Sequence, residues 1–385
     1  MPIDAVRGQF AKAVRSFPWL LAYGAQRSLR PRPHRPQHLI IGVADHFEPS
    51  IVPDAGSRTF ADRAEQERRL AAWCDQYPEA VGDWRDDDGW PLRHTYFFPA
   101  EQYDEGIVGR LAEHCRTGWG EVEIHLHHGL DTPDTSGRTR SALLEFVDRL
   151  GRHGCLSRLD GQGDLRYAFV HGNWALANSA GGRFCGVDDE MAILAETGCY
   201  ADMTLPSAPS RAQVGKINAM YECARPLERR APHRRGRDLR VGAVPTRFPL
   251  IIQGPLGLNF ARRVNGWPVP CIENGALTDR YAPSMERLDL WRQAGITVRG
   301  RRDWLFIKLH CHGMDPRDRG AMLGEPLRRF LQQLTVSKKE EGYRVHFVTA
   351  REMVNIALAA CHGHGGDPGA YRDYRLKLVT PARKP

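Results

Sequence analysis

The sequence predicts an α/β fold built on a parallel sheet or barrel, and three observations carry that prediction. Short, continuous apolar runs recur along the chain, as expected of strands buried on both faces. Stretches with apolar residues at helical spacing lie between several of them, and repeated strand–helix alternation is the pattern of a parallel α/β architecture. Ionisable or polar residues sit at the C-terminal ends of the runs: Asp45 and His46, His127 and His128, His171 and Asn173, His310 and His312. In a parallel sheet or barrel those ends share one face, where active sites are built.

In chain order, residues 1–37 form a basic extension carrying Arg7, Lys12, Arg15, Arg27, Arg30, Arg32 and Arg35. The stretch Phe17–Tyr23 is too short for the apolar core of a signal peptide, and no small-residue cleavage site follows it. It reads as a helix that either lies on a membrane surface or packs on the domain itself. The prolines of Arg30–Pro36 block helix and ladder alike and make a stiff linker. The first strand is Leu39–Ala44. Further strands are expected at Thr95–Phe98, Val122–His127, Tyr167–Val170, Pro249–Ile252, Trp304–Leu309 and Val345–Val348. Helices are expected over 59–76, with Thr59 as cap, and over 141–152, 187–197, 325–334 and 350–360. Residues 225–240 hold seven arginines among Pro and Gly. They read as an exposed loop, either a patch for phosphate or an anionic glycan or a solvated insertion. The domain is expected to span 38–360, with 361–385 as a tail.

At 385 residues, 42% hydrophobic and 26% charged, the composition excludes a disordered chain, a collagen and a small disulfide scaffold. No apolar run is long enough to cross a membrane as a helix. The net charge of +8 is compatible with an acidic or phosphate-bearing partner. The basic residues cluster in one loop without interleaved aromatics, which argues against nucleic acid. Nine scattered cysteines, none spaced C-x-x-C, fit reduced thiols in a cytoplasmic protein.

Four motifs carry chemistry. Asp45-His46 closes a buried strand, where an ionised carboxylate needs a metal, a cation or donors beside it. In Glu123–Thr132, His125 and His127 share a strand face while His128 points away unless the strand has ended. Together with Asp131 and Asp134 they offer the nitrogen and oxygen ligands that zinc or another divalent ion prefers. His171-Gly172-Asn173-Trp174 offers an amide and an indole suited to a sugar ring, or a polar turn beside a buried Trp. Leu309-His310-Cys311-His312-Gly313 offers a general acid near neutral pH or a further metal ligand. Asp202 either orients a histidine or makes a turn. No dinucleotide, P-loop, G-x-S-x-G or H-E-x-x-H pattern is present.

The order of these motifs resembles the polysaccharide deacetylases, carbohydrate esterase family four. Gly42-Val43-Ala44-Asp45-His46 stands where that family has Thr-Phe-Asp-Asp, and His94–Phe98 resembles its Ala-Thr-Phe-Phe strand. Glu123–Asp131 aligns with Glu-Ile-Gly-x-His-x-x-x-His, while Phe306–His310 and Phe347–Met353 resemble its closing strands and helix. The resemblance spans residues 38–358. It implies a distorted (β/α)7 barrel and a divalent metal, zinc by preference, that hydrolyses N- or O-acetyl groups of a saccharide or polysaccharide. On this alignment Asp45 is the base, His46, His127 and Asp131 are the metal ligands, and His310 or else His312 is the acid. His125 and His128 replace them as ligands if the register slips, and His171, Asn173, Trp174 and Asp202 face the substrate. The third motif lacks the family's Arg that pairs with the base. Two competing readings are a glycosidase using a carboxylate pair drawn from Glu48, Asp131, Asp202 and Glu273, and a glycan-binding protein without turnover.

Overall fold

The computed structural model describes residues 17–29, 38–53, 59–261, 263–264 and 267–385. Residues 1–16 and the proline-rich linker 30–37 lie outside the described residues. The expected α/β class is what the chain adopts. Its main sheet contains β1 (His38–His46), β2 (His94–Pro99), β3 (Gly120–Leu126), β4 (Gln162–His171), β5 (Cys199–Asp202), β6 (Met220–Cys223), β7 (Gly236–Asp238), β8 (Leu250–Ile252), β9 (Ala276–Leu277), β10 (Trp304–Cys311) and β11 (Arg344–Phe347). The order is β9-β10-β1-β2-β3-β4-β5-β8-β6-β7. It is parallel from β9 to β8, after which β6 and β7 turn antiparallel. One edge of β1 follows β10 along its length. The other edge is shared, with β11 beside His38–Ile41 and β2 beside Val43–His46.

The sheet curls. Lys308 on β10 is separated from β5 by four strands, yet its ammonium donates to the carbonyls of Met203 and Leu205 at 2.6 and 2.7 Å. Only a sheet bent with the Lys308 side concave brings these groups together. Among the described residues no ladder joins its two ends, so the sheet forms a half-barrel.

Side-chain alternation sorts β1 between two cores. Leu39, Ile41 and Val43 face outward and pack with α2 (Arg63–Val81), α3 (Glu105–His114), α4 (Ser136–Arg152), α5 (Glu190–Glu196), α6 (Met285–Ala294) and α7 (Glu325–Glu341). Ile40 and Ala44 face the concave side, where α8 (Ala350–Cys361), buried along its whole length, fills the curl. Gly42 permits this packing, because a Cβ there would lie 2.9 Å from the Val348 carbonyl oxygen. A capping box of Thr349 and Glu352 starts α8. The buried Arg351 on this helix pairs with Glu121 of β3 at 2.8 Å.

Several boundaries differ from expectation. The first outer helix begins at Arg63, because Asp62 rather than Thr59 accepts the Glu65 N–H, at 2.8 Å. Residues 17–29 form helix α1, the first described element of the chain, and its Trp19 packs on Ala208, Ile217 and Leu256. Residues 361–385 are not a free tail. Leu376–Leu378 pairs with Ser157–Leu159, and Arg372 is buried against Asp86, Asp88 and Glu352. The arginine-rich segment 225–240 folds into the β6–β7 hairpin, and Arg230 and Arg234 donate to the carbonyls of Asn178 and Ser179. No described helix is long and apolar enough to cross a membrane.

Candidate metal centre and cleft

The C-terminal ends of β1, β3 and β10 deliver a histidine cluster to the concave side. His46, His125 and His310 share that face by alternation, and His127 and His312 each continue it two residues on. Ring centroids of His46 lie 4.9 Å from His125 and 4.7 Å from His312, and those of His125 and His127 lie 4.4 Å apart. Glu48, from the loop after β1, enters the cluster. Donor atoms of His46, Glu48 and His125 all lie within 4.8 Å of one another.

Two of the rings are held in one orientation. His125 donates its Nδ1–H to the Val170 carbonyl at 2.7 Å, and His127 donates its Nδ1–H to Glu101 Oε1 at 2.6 Å. Each tautomer turns Nε2 inward, 3.1 and 3.4 Å from the same Glu48 Oε1. Metal-binding histidines are oriented in this way, by a carboxylate or carbonyl on Nδ1 that turns Nε2 toward the ion; here Nε2 of His125 hydrogen-bonds Glu48. Electrostatics agree with a site built for positive charge. Burial raises the Glu48 pKa, but the His125 hydrogen bond and the charges of His127, His125 and His312 outweigh it and hold it at about 2. Burial opposes charge on His127, yet the bond to Glu101 and the nearby Glu48 carry its pKa above the ordinary value. His46 and His310 are driven well below theirs by burial first and then by neighbouring cations.

The cluster is open to solvent. A cavity of about 210 Å³ is lined by His46, Glu48, His127, Asn173, Trp174 and His312. A second, of about 430 Å³, runs on past Trp174 and His312 along Ser207, Ser210, Asn274 and Thr278. Asn173 and Trp174 have φ of 54° and 57°. Two consecutive non-glycine residues in the left-handed region mark a strained rim of the kind found at functional sites. Ser207 Oγ and His310 Nδ1 are buried without a hydrogen-bond partner beside this cleft.

The expected residues divide. His46, His125, His127, His310, His312, Asn173 and Trp174 come together at the cleft. Asp45 does not. It points to the convex side, fully buried, and accepts from His94 Nδ1 at 2.8 Å and from the Gly313 N–H at 2.7 Å. The reason is the period of two along β1, which sends adjacent side chains to opposite faces. Asp131 is exposed on the loop after β3 and joins none of the donor clusters among the described residues. His128 and His171 point outward and form a separate cluster with Cys185 and Glu190. Asp202 is buried and accepts from the Thr204 hydroxyl at 2.7 Å, and burial pushes its pKa up to about 7. Glu273 is locked by Arg287 and Trp291. Of the four carboxylates a glycosidase reading draws on, Glu48 lines the cavity.

Sequence reasoning missed Glu101 and read Glu48 only as one of a carboxylate pair. Glu101 stands two residues after β2, so the strand-end rule that found the histidines also applies to it. No known protein family and no curated protein matches the chain.

Proposed function

We propose that the chain is a metal-dependent hydrolase that removes N- or O-acetyl groups from a saccharide or polysaccharide. On this reading the half-barrel is a divergent form of the (β/α)7 barrel of the polysaccharide deacetylases. One observation carries it: at the floor of an open cleft, two imidazoles with fixed tautomers aim Nε2 at a shared carboxylate oxygen. His46, His125, His127 and Glu48 would hold the ion, a set of nitrogen and oxygen donors that suits zinc. When bound, it supplies Lewis-acid polarisation of the acyl carbonyl and a water acidic enough to attack at neutral pH.

The other residues have roles that follow from their positions. His312 lines both cavities and takes the proton from the attacking water, then passes it to the leaving amine or hydroxyl. His310 offers its unpartnered Nδ1 to the substrate beside it. The indole of Trp174 is a platform for a sugar ring, with Asn173 and Ser207 in reach of its hydroxyls. Scattered free cysteines support a cytoplasmic setting.

The test is metal content together with acetate release from acetylated chito-oligosaccharides, in wild type and in His125→Ala. Acetate release that needs bound zinc and is lost in the variant supports the reading. A wild-type protein whose cleft takes up no zinc overturns it. Zinc and saccharide bound without any acetate release overturns hydrolysis in favour of a binding protein.

A further inference from the structure

Behind the cleft, on the convex side, lies a second set of donors that the proposed hydrolysis does not use. His128 follows β3, His171 ends β4, Cys185 lies in the loop after it, and Glu190 opens α5. Donor atoms of all four lie within 4.8 Å of one another, and all four residues are buried.

The rings are oriented from outside. His128 donates its Nδ1–H to Asp134 Oδ2 at 3.0 Å, and the Thr139 hydroxyl donates to the same oxygen at 3.0 Å. His171 donates its Nδ1–H to the Gly172 carbonyl. Both Nε2 atoms therefore converge, 3.0 Å apart, with Glu190 Oε1 at 2.9 Å from one and 3.4 Å from the other. Without a cation, one proton on His128 Nε2 must serve His171 Nε2 and Glu190 Oε1 together.

Cys185 points to the same conclusion independently. Its Sγ receives two backbone N–H groups, from Asn178 at 3.3 Å and from Val187 at 3.4 Å. Two N–H groups aimed at one sulfur are the outer hydrogen bonds that orient a coordinating side chain. A second argument is charge. One thiolate and one carboxylate cancel the charge of a divalent ion, as a buried site requires. A third is the chain around it. Residues 172–189 contain only short turns, with positive φ at Asn173, Trp174, Ala177, Asn178 and Phe184. A segment so irregular has few ladder bonds of its own to fix it.

We propose that His128, His171, Cys185 and Glu190 form a second, closed metal site that holds zinc as a structural cross-link between β3, β4, the 172–189 loop and α5. Four protein donors and no solvent-facing position are the marks of structural rather than catalytic zinc. The site stands apart from the hydrolase reading, since it uses other residues and the opposite face.

The full-length chain is loaded with zinc, freed of excess metal, and measured for zinc stoichiometry and by X-ray absorption. Wild type should hold two equivalents, and Cys185→Ser and His125→Ala one each. In His125→Ala the remaining zinc should show a sulfur neighbour at about 2.3 Å. The wild-type absorption measurement keeps the proposal testable if Cys185→Ser fails to fold. A zinc shell in wild type without sulfur, or a folded Cys185→Ser that retains two equivalents, overturns the second site. One equivalent with a sulfur neighbour, unaffected by His125→Ala, upholds this site and sinks the open one. One equivalent without sulfur, lost in His125→Ala, does the reverse.

Discussion

His127 and His128 are consecutive in the chain, yet they serve different faces of the sheet. His127 bonds Glu101 and approaches Glu48 on the concave side, while His128 bonds Asp134 and Glu190 on the convex side. The alternation of β3 continues through its exit and splits one histidine-rich motif between two clusters. Each cluster then carries its own carboxylate on a histidine Nδ1.

The first prediction concerns Glu101. It touches the His127 ring from outside the donor set, so it acts on metal through the orientation and basicity of that ring. Glu101→Gln should lower zinc affinity of the cleft by about 10–100-fold and leave the fold intact. Competition against a chelator reads the affinity, and thermal melting of the metal-free protein reads the fold. An unchanged affinity would remove Glu101 from the site.

Gly172 is the seam between the two clusters. A Cβ there would lie 2.4 Å from His127 Cδ2 and 2.7 Å from the Leu126 carbonyl oxygen, while its own carbonyl accepts from His171. Gly172→Ala should therefore displace His127 toward the cleft and cost roughly 1–3 kcal/mol of stability by overpacking. Zinc affinity of the cleft should fall alongside it, by about tenfold or more. Urea melts and chelator competition measure the two effects. A variant with wild-type affinity would show that the rim relaxes without moving His127.

Much of this was legible in the sequence. The buried run at Leu39–Ala44 reads as a strand because it is short, rich in β-branched residues and bounded by the proline-rich linker. The concentration of histidines at strand ends follows from parallel topology. What the sequence hid is which face each residue takes. Asp45 and His46 are one residue apart, so an alignment that treats them as one motif assigns both to one site, and the pleat separates them. Glu101 lies in a short 3-10 turn just past β2, and Glu190 at the first position of α5, where a first-turn carboxylate reads as ordinary helix chemistry. The clustering of His171 with Cys185 depends on left-handed residues in 172–186, which no propensity predicts. Whether the sheet closes into a barrel depends on contacts between its ends, far apart in the chain.

His114 gives a pH dependence with a definite sign. It is buried, 3.2 Å from the Tyr96 hydroxyl, and burial first, then the charges of His94 and Arg110, hold its pKa at about 4 against an ordinary 6.5. The folded protein keeps it neutral, whereas the unfolded chain takes up a proton below 6.5. Stability from this group is complete above about pH 6.5 and is lost as pH falls toward about 4, with a total on the order of 3 kcal/mol. Urea midpoints at pH 7.5 and 5 should diverge more for wild type than for His114→Phe. Equal slopes in the two proteins would exclude His114 as the source.

Asp45 offers the sharpest separation between the resemblance and the geometry. As a base it would face the cleft and its loss would cost about 10²–10⁴ in rate. Instead it tethers, from behind, the exit of β10 just after His310 and His312, through the Gly313 N–H at 2.7 Å. Gly313 must be glycine for this, since a Cβ would lie 2.4 Å from Asp45 Oδ2. His94 Nε2 is buried without a partner, so the ring can shift its proton there and accept from an amide. Asp45→Asn should therefore fold with a loss of about 1–3 kcal/mol. It should keep its zinc, lose less than about tenfold in kcat, and retain both limbs of the pH–rate profile. Loss of the basic limb together with a collapse of kcat would return Asp45 to the role of base and require the loop to rearrange on binding.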